Sequence, residues 1–236
     1  MHSPGKITLV GFDADDTLWQ NETFFRLTQA RLESLLADFC DSATLHDRLI
    51  AAERRNLGHY GYGVKGFTLS MIETAIEVTQ GRVSAQVIAE IMAAGREMLE
   101  HPIELLPHAR AAVEQAAEQF HVVLITKGDL MDQERKLAQS GLGDLFHGVE
   151  IVSEKTADTY ARLFTRHGAR AESALMVGNS LKSDVLPVLA AGGFGVHVPH
   201  GLTWELERAE PPAQHPRFFE LEDLSGLNSL LGRLVA

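Results

Sequence analysis

A single cysteine, Cys40, among 236 residues excludes an intrachain disulfide and any cysteine-built zinc site. Beside Phe39 at the end of a helical pattern, it reads as a small apolar packing residue. Long hydrophobic runs are also missing. No stretch approaches the ~20 apolar residues that a membrane span requires. The opening residues Met1-His2-Ser3-Pro4-Gly5-Lys6 lead into a run too short for the apolar region of a secretion signal. The expectation is a cytoplasmic protein with no membrane partner. Positive charge is scarce: 21 Lys and Arg face 32 Asp and Glu, for a formal net charge of −11. Such a chain is a poor general nucleic-acid binder, because phosphate backbones reward clustered Lys and Arg. A small anionic substrate is not excluded, since it responds to the local field. The eleven histidines show no metal-ligand spacing, and His197, His200 and His215 read as structural or exposed.

What is present is 45% hydrophobic content, enough for a sizeable core, or a core with a smaller satellite. Five short apolar runs, at 7–12, 121–125, 148–152, 174–177 and 194–198, each end in polar or glycine residues and alternate with helical patterns. Near-continuous apolar strands alternating with helices predict a doubly wound, Rossmann-like α/β core with a parallel sheet covered on both faces. Pro107 is placed to open one helix, Asp129 or Asp132 to cap the next, and Thr156 to cap a third. A short helix is expected over 181–191 and a terminal one over 221–235.

Residues from about 20 to 100 break this rhythm. Phe25, Leu32, Leu35, Leu36 and Phe39 fall at helical spacing, as do Met71, Ile72, Ala75 and Ile76, and then Val87, Ile88, Ile91 and Met92 behind a Ser84 cap. The domain expectation is a core of 1–19 and 101–236 with a helical cap inserted over 20–100. Within the insert, Gly61-Tyr62-Gly63-Val64-Lys65-Gly66 fits Gly-x-Gly-x-x-Gly. Dinucleotide binding needs a strand before that motif, and here it lies between helices. It reads instead as a cap loop, with His59, Tyr60 and Lys65 as possible substrate contacts. Trp19 and Trp204 read as packing residues.

In open parallel sheets ligands bind beyond the carboxyl ends of the strands. Those positions carry Asp13-Ala14-Asp15-Asp16-Thr17, then Thr126-Lys127-Gly128-Asp129, then Ser153-Glu154-Lys155, and finally Gly178-Asn179-Ser180-Leu181-Lys182-Ser183-Asp184. Asp13, at a strand tip, is placed for a carboxylate to attack phosphorus. An anionic phosphate repels such a nucleophile, so a hard cation is needed between them, and Mg2+ suits oxygen ligands and developing charge. Lys127 fits either a second phosphate contact or a loop charge. Asp16, Asp129 and Lys182 read as a turn residue, a cap and a solvated lysine.

The set resembles the haloacid dehalogenase superfamily, most of whose members are phosphatases. Asp13, Asp15 and Thr17 match its Asp-x-Asp-x-Thr motif, Thr126 its second motif, Lys155 its third and Gly178 to Asp184 its fourth. The motifs run in the family's order, and the insert sits where its type-1 cap sits. The resemblance implies that Asp15 is the general acid and then the general base, with its backbone carbonyl on the metal. It implies that Lys155 holds the nucleophile and phosphoryl oxygens and that Thr126 donates to the phosphoryl group, with Thr17 and the Gly128 amide as helpers. Asn179 departs from the family, which usually has Asp or Glu there. An amide oxygen can ligate Mg2+ without bringing charge, so in the metal set of Asp13, Asp15, Asn179 and Asp184 the last carries more of the binding, directly or through water. The expected substrate is a small phosphorylated metabolite. Three other readings use the same fold. A haloacid dehalogenase usually carries another residue, typically tyrosine, in place of Asp15. A phosphomutase would have to retain its product. A non-catalytic binding protein draws its support from Asn179.

Overall fold

The computed structural model describes residues 6–235, so the opening residues 1–5 lie outside the described chain. It divides into two compact units. The first takes in the chain up to Gln20, then Ile103–Lys127 and the stretch from Gln133 onward; the second takes in Asn21–Pro102 and Gly128–Asp132.

The first unit is built on six strands: β1 (Leu9–Phe12), β2 (His121–Lys127), β3 (Gly148–Val152), β4 (Ala174–Gly178), β5 (Phe194–His197) and β6 (Phe218–Glu220). Their spatial order is β3-β2-β1-β4-β5-β6, and every pairing is parallel. The winding reverses between β1 and β4, so the crevice beyond their carboxyl ends is the natural ligand position. Strand alternation sends Val10 and Phe12 into one core layer with Ala112, Val113 and Leu227. Leu9 enters the opposite layer, with Tyr160, Leu163 and Phe164. Both faces of the sheet are thereby covered, which explains why the central strands read as continuous apolar runs. Gly11, in the middle of β1, leaves room for two side chains of the neighbouring strands: a Cβ there would lie 2.9 Å from Met176 Sδ and 3.1 Å from Ile125 Cδ1, and both would have to shift.

Around the sheet lie α5 (Ala109–Ala117), α6 (Leu130–Ser140), α7 (Ala157–Arg166), α8 (Leu186–Ala190) and α9 (Leu227–Val235). Three expectations need correction here. Pro107 does not open α5, because His108 takes a left-handed backbone at φ 65° and the helix starts after it. The sixth strand was not visible in the sequence. It is three residues long and only partly buried, and it follows a polar, proline-containing stretch. The terminal helix starts at Leu227, because Asp223 caps a separate 3-10 turn, Leu224–Gly226, ahead of it.

The second unit holds α1 (Glu22–Leu36), α2 (Ser42–Tyr60), α3 (Val64–Val78) and α4 (Ala85–Glu100). Asp41 caps α2 by accepting from the Thr44 amide at 2.9 Å, and Ser84 caps α4 by accepting from Val87 at 3.2 Å. Leu32, Leu36, Leu45, Leu49, Phe67, Met71 and Ile91 form its core. The glycine motif makes the tight α2–α3 turn. Gly61 and Gly63 take positive φ, and a Cβ on Gly66 would lie 2.7 Å from the Gly61 carbonyl. These glycines are explained by backbone geometry alone. Among the described residues no helix is long and apolar enough to cross a membrane.

Candidate active site

The residues after β1 fold into a compact turn. The Ala14 carbonyl accepts from the amides of Thr17 and Leu18, and Asp16, at φ 60°, donates its amide to Trp19 at 2.7 Å. This turn leaves Asp13 buried at the strand tip, with its amide still bonded to Val177 of β4. Thr17 faces back across the turn. Its hydroxyl lies 3.0 Å from Asp13 Oδ2 and 3.3 Å from Asn179 Oδ1, and it accepts from the Asn179 amide at 3.0 Å.

Lys155, after β3, places its Nζ 2.6 Å from Asp13 Oδ1 and 2.7 Å from Asp184 Oδ1. All three groups are buried. The second Asp184 oxygen accepts from the Ser180 amide at 2.9 Å. Both Asp184 oxygens are therefore engaged inside the protein. Burial and the Asp184 charge raise the Asp13 carboxyl from 3.8 to about 7, against the lowering effect of Lys155. Burial alone would lower the Lys155 ammonium, but the adjacent Asp13 and Asp184 charges outweigh it and hold the group well above the ordinary lysine value.

The loop that carries Asp184 is a π-type turn over Leu181–Val185, with Ser180 accepting from the Ser183 amide. Turns of this type recur at functional sites. It folds back so closely that a Cβ on Gly178 would lie 2.2 Å from Asp184 Oδ2 and 2.6 Å from Asp184 Cβ. Gly178→Ala is therefore expected to push Asp184 off Lys155. The expected outcome is a loss of activity of tenfold or more with far-ultraviolet circular dichroism unchanged; full activity would contradict it.

Several groups the sequence did not reveal complete the site. Asp15 is gripped by three donors. Trp19 Nε1 lies 2.7 Å from its Oδ1, Lys136 Nζ 2.9 Å from the same oxygen, and Gln133 Nε2 2.8 Å from Oδ2. Glu207 is a partly buried carboxylate at the end of a 3-10 turn, Glu205–Glu207, after β5. It accepts from Lys127 Nζ at 2.7 Å, from Ser180 Oγ at 2.7 Å and from the Ser183 hydroxyl. Burial opposes its charge, but the Lys127 ammonium and these bonds hold its pKa below the usual value. Lys127 also lies 2.8 Å from Ser183 Oγ, so it is tied down by its own chain. No helical or strand period marks Lys136, Gln133 or Glu207 as part of a site; only the fold brings them there.

Other expected residues sit as follows. Thr126 is buried, and its hydroxyl donates to the Lys127 carbonyl at 3.2 Å. Gly128 takes φ 141°, which ends β2 sharply before α6. His197 Nε2 lies 3.1 Å from the Asn179 carbonyl oxygen and its Nδ1 3.0 Å from Glu220, so it steadies the fourth loop from β5. Lys182 Nζ contacts the Leu206 carbonyl. Within the second unit Lys65 pairs with Asp129 at 2.9 Å.

Among the described residues no three His, Cys, Asp or Glu side chains converge as a ready metal cage. The oxygens that gather at Asp13 are its own carboxylate and, across the Thr17 hydroxyl, the Asn179 amide oxygen. That set fits Mg2+, which keeps several waters and needs few protein ligands.

Fold and site together define a hydrolase class. A family profile for haloacid dehalogenase-like hydrolases matches residues 7–192, and the chain belongs to that family. A crystal structure of a haloacid dehalogenase-like family hydrolase from Xanthomonas campestris is 46% identical, covers 99% of this chain and 94% of that one, and superposes with a TM-score of 0.88. The HAD-hydrolase YfnB from Bacillus subtilis, solved bound to magnesium, is 17% identical over 96% of this chain and 99% of its own, with a TM-score of 0.67. The 2-haloacid dehalogenase from Pseudomonas syringae is 20% identical over 96% and 99%, with a TM-score of 0.62. At those identities the last two bear on the fold alone. No curated protein matches the sequence.

Proposed function

We propose that this hydrolase is a Mg2+-dependent phosphatase that cleaves a small-molecule phosphate monoester through an aspartyl-phosphate on Asp13. The observation that carries the reading is the pair of carboxylates on one turn. Asp13 is buried against Lys155, and Asp15, two residues on, is held separately by Trp19, Gln133 and Lys136. A nucleophile and an acid–base group in different surroundings are what two-step ester hydrolysis requires.

In the first step an Asp13 oxygen attacks phosphorus, the P–O bond to the leaving group breaks, and Asp15 gives its proton to the departing oxygen. In the second, Asp15 takes a proton from water, whose oxygen attacks the phosphoryl group, and Asp13 is released with inorganic phosphate. Lys155 holds the Asp13 carboxylate in place and offsets charge on the phosphoryl oxygens. Asp184 fixes Lys155 from the far side. Thr17 links Asp13 to the Asn179 loop. Thr126, buried at the end of the neighbouring strand, is the phosphoryl contact from β2, whereas the Lys127 ammonium is engaged by Glu207 and Ser183. Mg2+ would be held by the Asp13 carboxylate, the Asp15 carbonyl and the Asn179 amide oxygen, and it supplies charge neutralisation between nucleophile and phosphate. Asp184, which also holds Lys155 and the Ser180 amide, would join that set directly or through water. The formal charge of −11 argues against nucleic acid as the substrate and leaves a small anionic metabolite open.

The test is to measure phosphate release from a panel of phosphate monoesters and halide release from 2-haloacids, each with Mg2+ and with EDTA. Magnesium-dependent phosphate release supports the reading. Metal-independent halide release would overturn it.

A further inference from the structure

We infer that Lys136, with Gln133, is the positioning residue that sets the Asp15 carboxylate for proton transfer to the leaving group; this rests on the phosphatase reading above. Lys136 and Gln133 are three apart on α6, so they project from one face of the helix. Each donates to a different oxygen of Asp15, at 2.9 and 2.8 Å, while the Trp19 indole closes the third side at 2.7 Å. The orientation of the carboxylate is fixed by three donors from two elements.

Both helix residues are buried, Lys136 at 7% and Gln133 at 3% exposure. Lysine is almost never this buried unless its charge is answered. Gln133 spends its amide nitrogen on Asp15 and on the Lys127 carbonyl, at 3.0 Å, and its own Oε1 is buried with no hydrogen-bond partner among the described residues. A buried acceptor without a partner costs folding free energy. Stability does not favour that arrangement; holding Asp15 at a fixed angle does.

The consequence is specific to the leaving group. An alkyl oxide needs a proton to depart, whereas p-nitrophenolate does not. A residue that positions the acid therefore matters for the first and hardly for the second. Wild type, Lys136→Met, Lys136→Arg, Asp15→Asn and the Asp15→Asn/Lys136→Met double variant are compared on an alkyl phosphate panel and on p-nitrophenyl phosphate. Proton transfer by a positioned side chain contributes about 10²–10⁴-fold. Lys136→Met should thus lower kcat on the best alkyl ester by about 10-fold or more and on p-nitrophenyl phosphate by less than about threefold, with KM little changed. Lys136→Arg should restore part of the loss. In the Asp15→Asn background the Lys136 change should have no further effect, because the two act as one unit. Equal losses on both esters, or an undiminished loss in the Asp15→Asn background, would overturn the inference.

A readout independent of turnover separates this from the phosphatase reading. The chain has two tryptophans, so the indole N–H resonances of Trp19 and Trp204 are easily told apart. Lys136→Met should move that of Trp19 and leave that of Trp204. If the wild type releases phosphate from no ester, the phosphatase reading fails, and the indole signal alone decides the clamp. An unmoved Trp19 resonance overturns it whatever the activities show.

Discussion

Asp13→Asn is expected to lower kcat by at least about ten-thousand-fold, the scale seen when a covalent nucleophile is removed from a site that acts as a unit. The same change should make the metal-free protein more stable at neutral pH. Burial and Asp184 raise the folded-state Asp13 carboxyl from 3.8 to about 7. Between those values the folded state binds more protons at this group than the unfolded state does. Stability therefore falls as pH rises from about 4 to about 7, and the destabilisation is fully present above that range. An uncharged asparagine keeps the shape and removes the titration. Denaturant midpoints across pH 4 to 8 without metal should decline through that window in the wild type and stay flatter in the variant. A variant less stable than wild type at pH 8 would show that the Asp13–Lys155 attraction outweighs the crowding of carboxylates.

Lys155→Met should be the most damaging substitution to the fold and should also abolish turnover. The ammonium joins two buried carboxylates, at 2.6 Å from Asp13 and 2.7 Å from Asp184. Removing one partner from a buried charge cluster leaves the others unanswered and typically costs about 3–5 kcal/mol. Asp184 is also bonded to the Ser180 amide, so the disturbance reaches the turn that carries Asn179. Equilibrium unfolding at pH 7.5 should show the full loss. Part of it should return in mildly acidic solution, where the stranded carboxylates take up protons. A loss below about 1 kcal/mol would mean that water reaches the cluster and screens it.

The core layers were legible because buried parallel strands leave little choice of residue. The four residues of β1 and the five of β4 are all buried, and both strands read as apolar runs. β6 escaped because three half-buried residues form no pattern. The terminal helix was drawn too long because Leu221 and Leu224 continue its apolar spacing, while the break comes from the Asp223 cap. At the site, Asp13, Thr17, Lys155 and Asp184 follow strands, and it is the resemblance to the family's motifs that singles them out. Lys127 fits two readings in the sequence because its partner Glu207 lies eighty residues on, in a short 3-10 turn that no periodicity announces. The grip on Asp15 was hidden for a related reason. Its donors are a tryptophan that reads as core packing and two polar residues inside an ordinary amphipathic helix. Burial of Lys136 is a property of the fold and leaves no mark on its neighbours in sequence.

The most direct test is to quench the wild-type protein in acid while it turns over a phosphate monoester with Mg2+, and to locate any covalent phosphoryl group by mass spectrometry. The account predicts phosphate on Asp13, with none when Mg2+ is withheld and none in Asp13→Asn. Steady hydrolysis with phosphate on another residue, or with Asp13→Asn turning over at the wild-type rate, would contradict it.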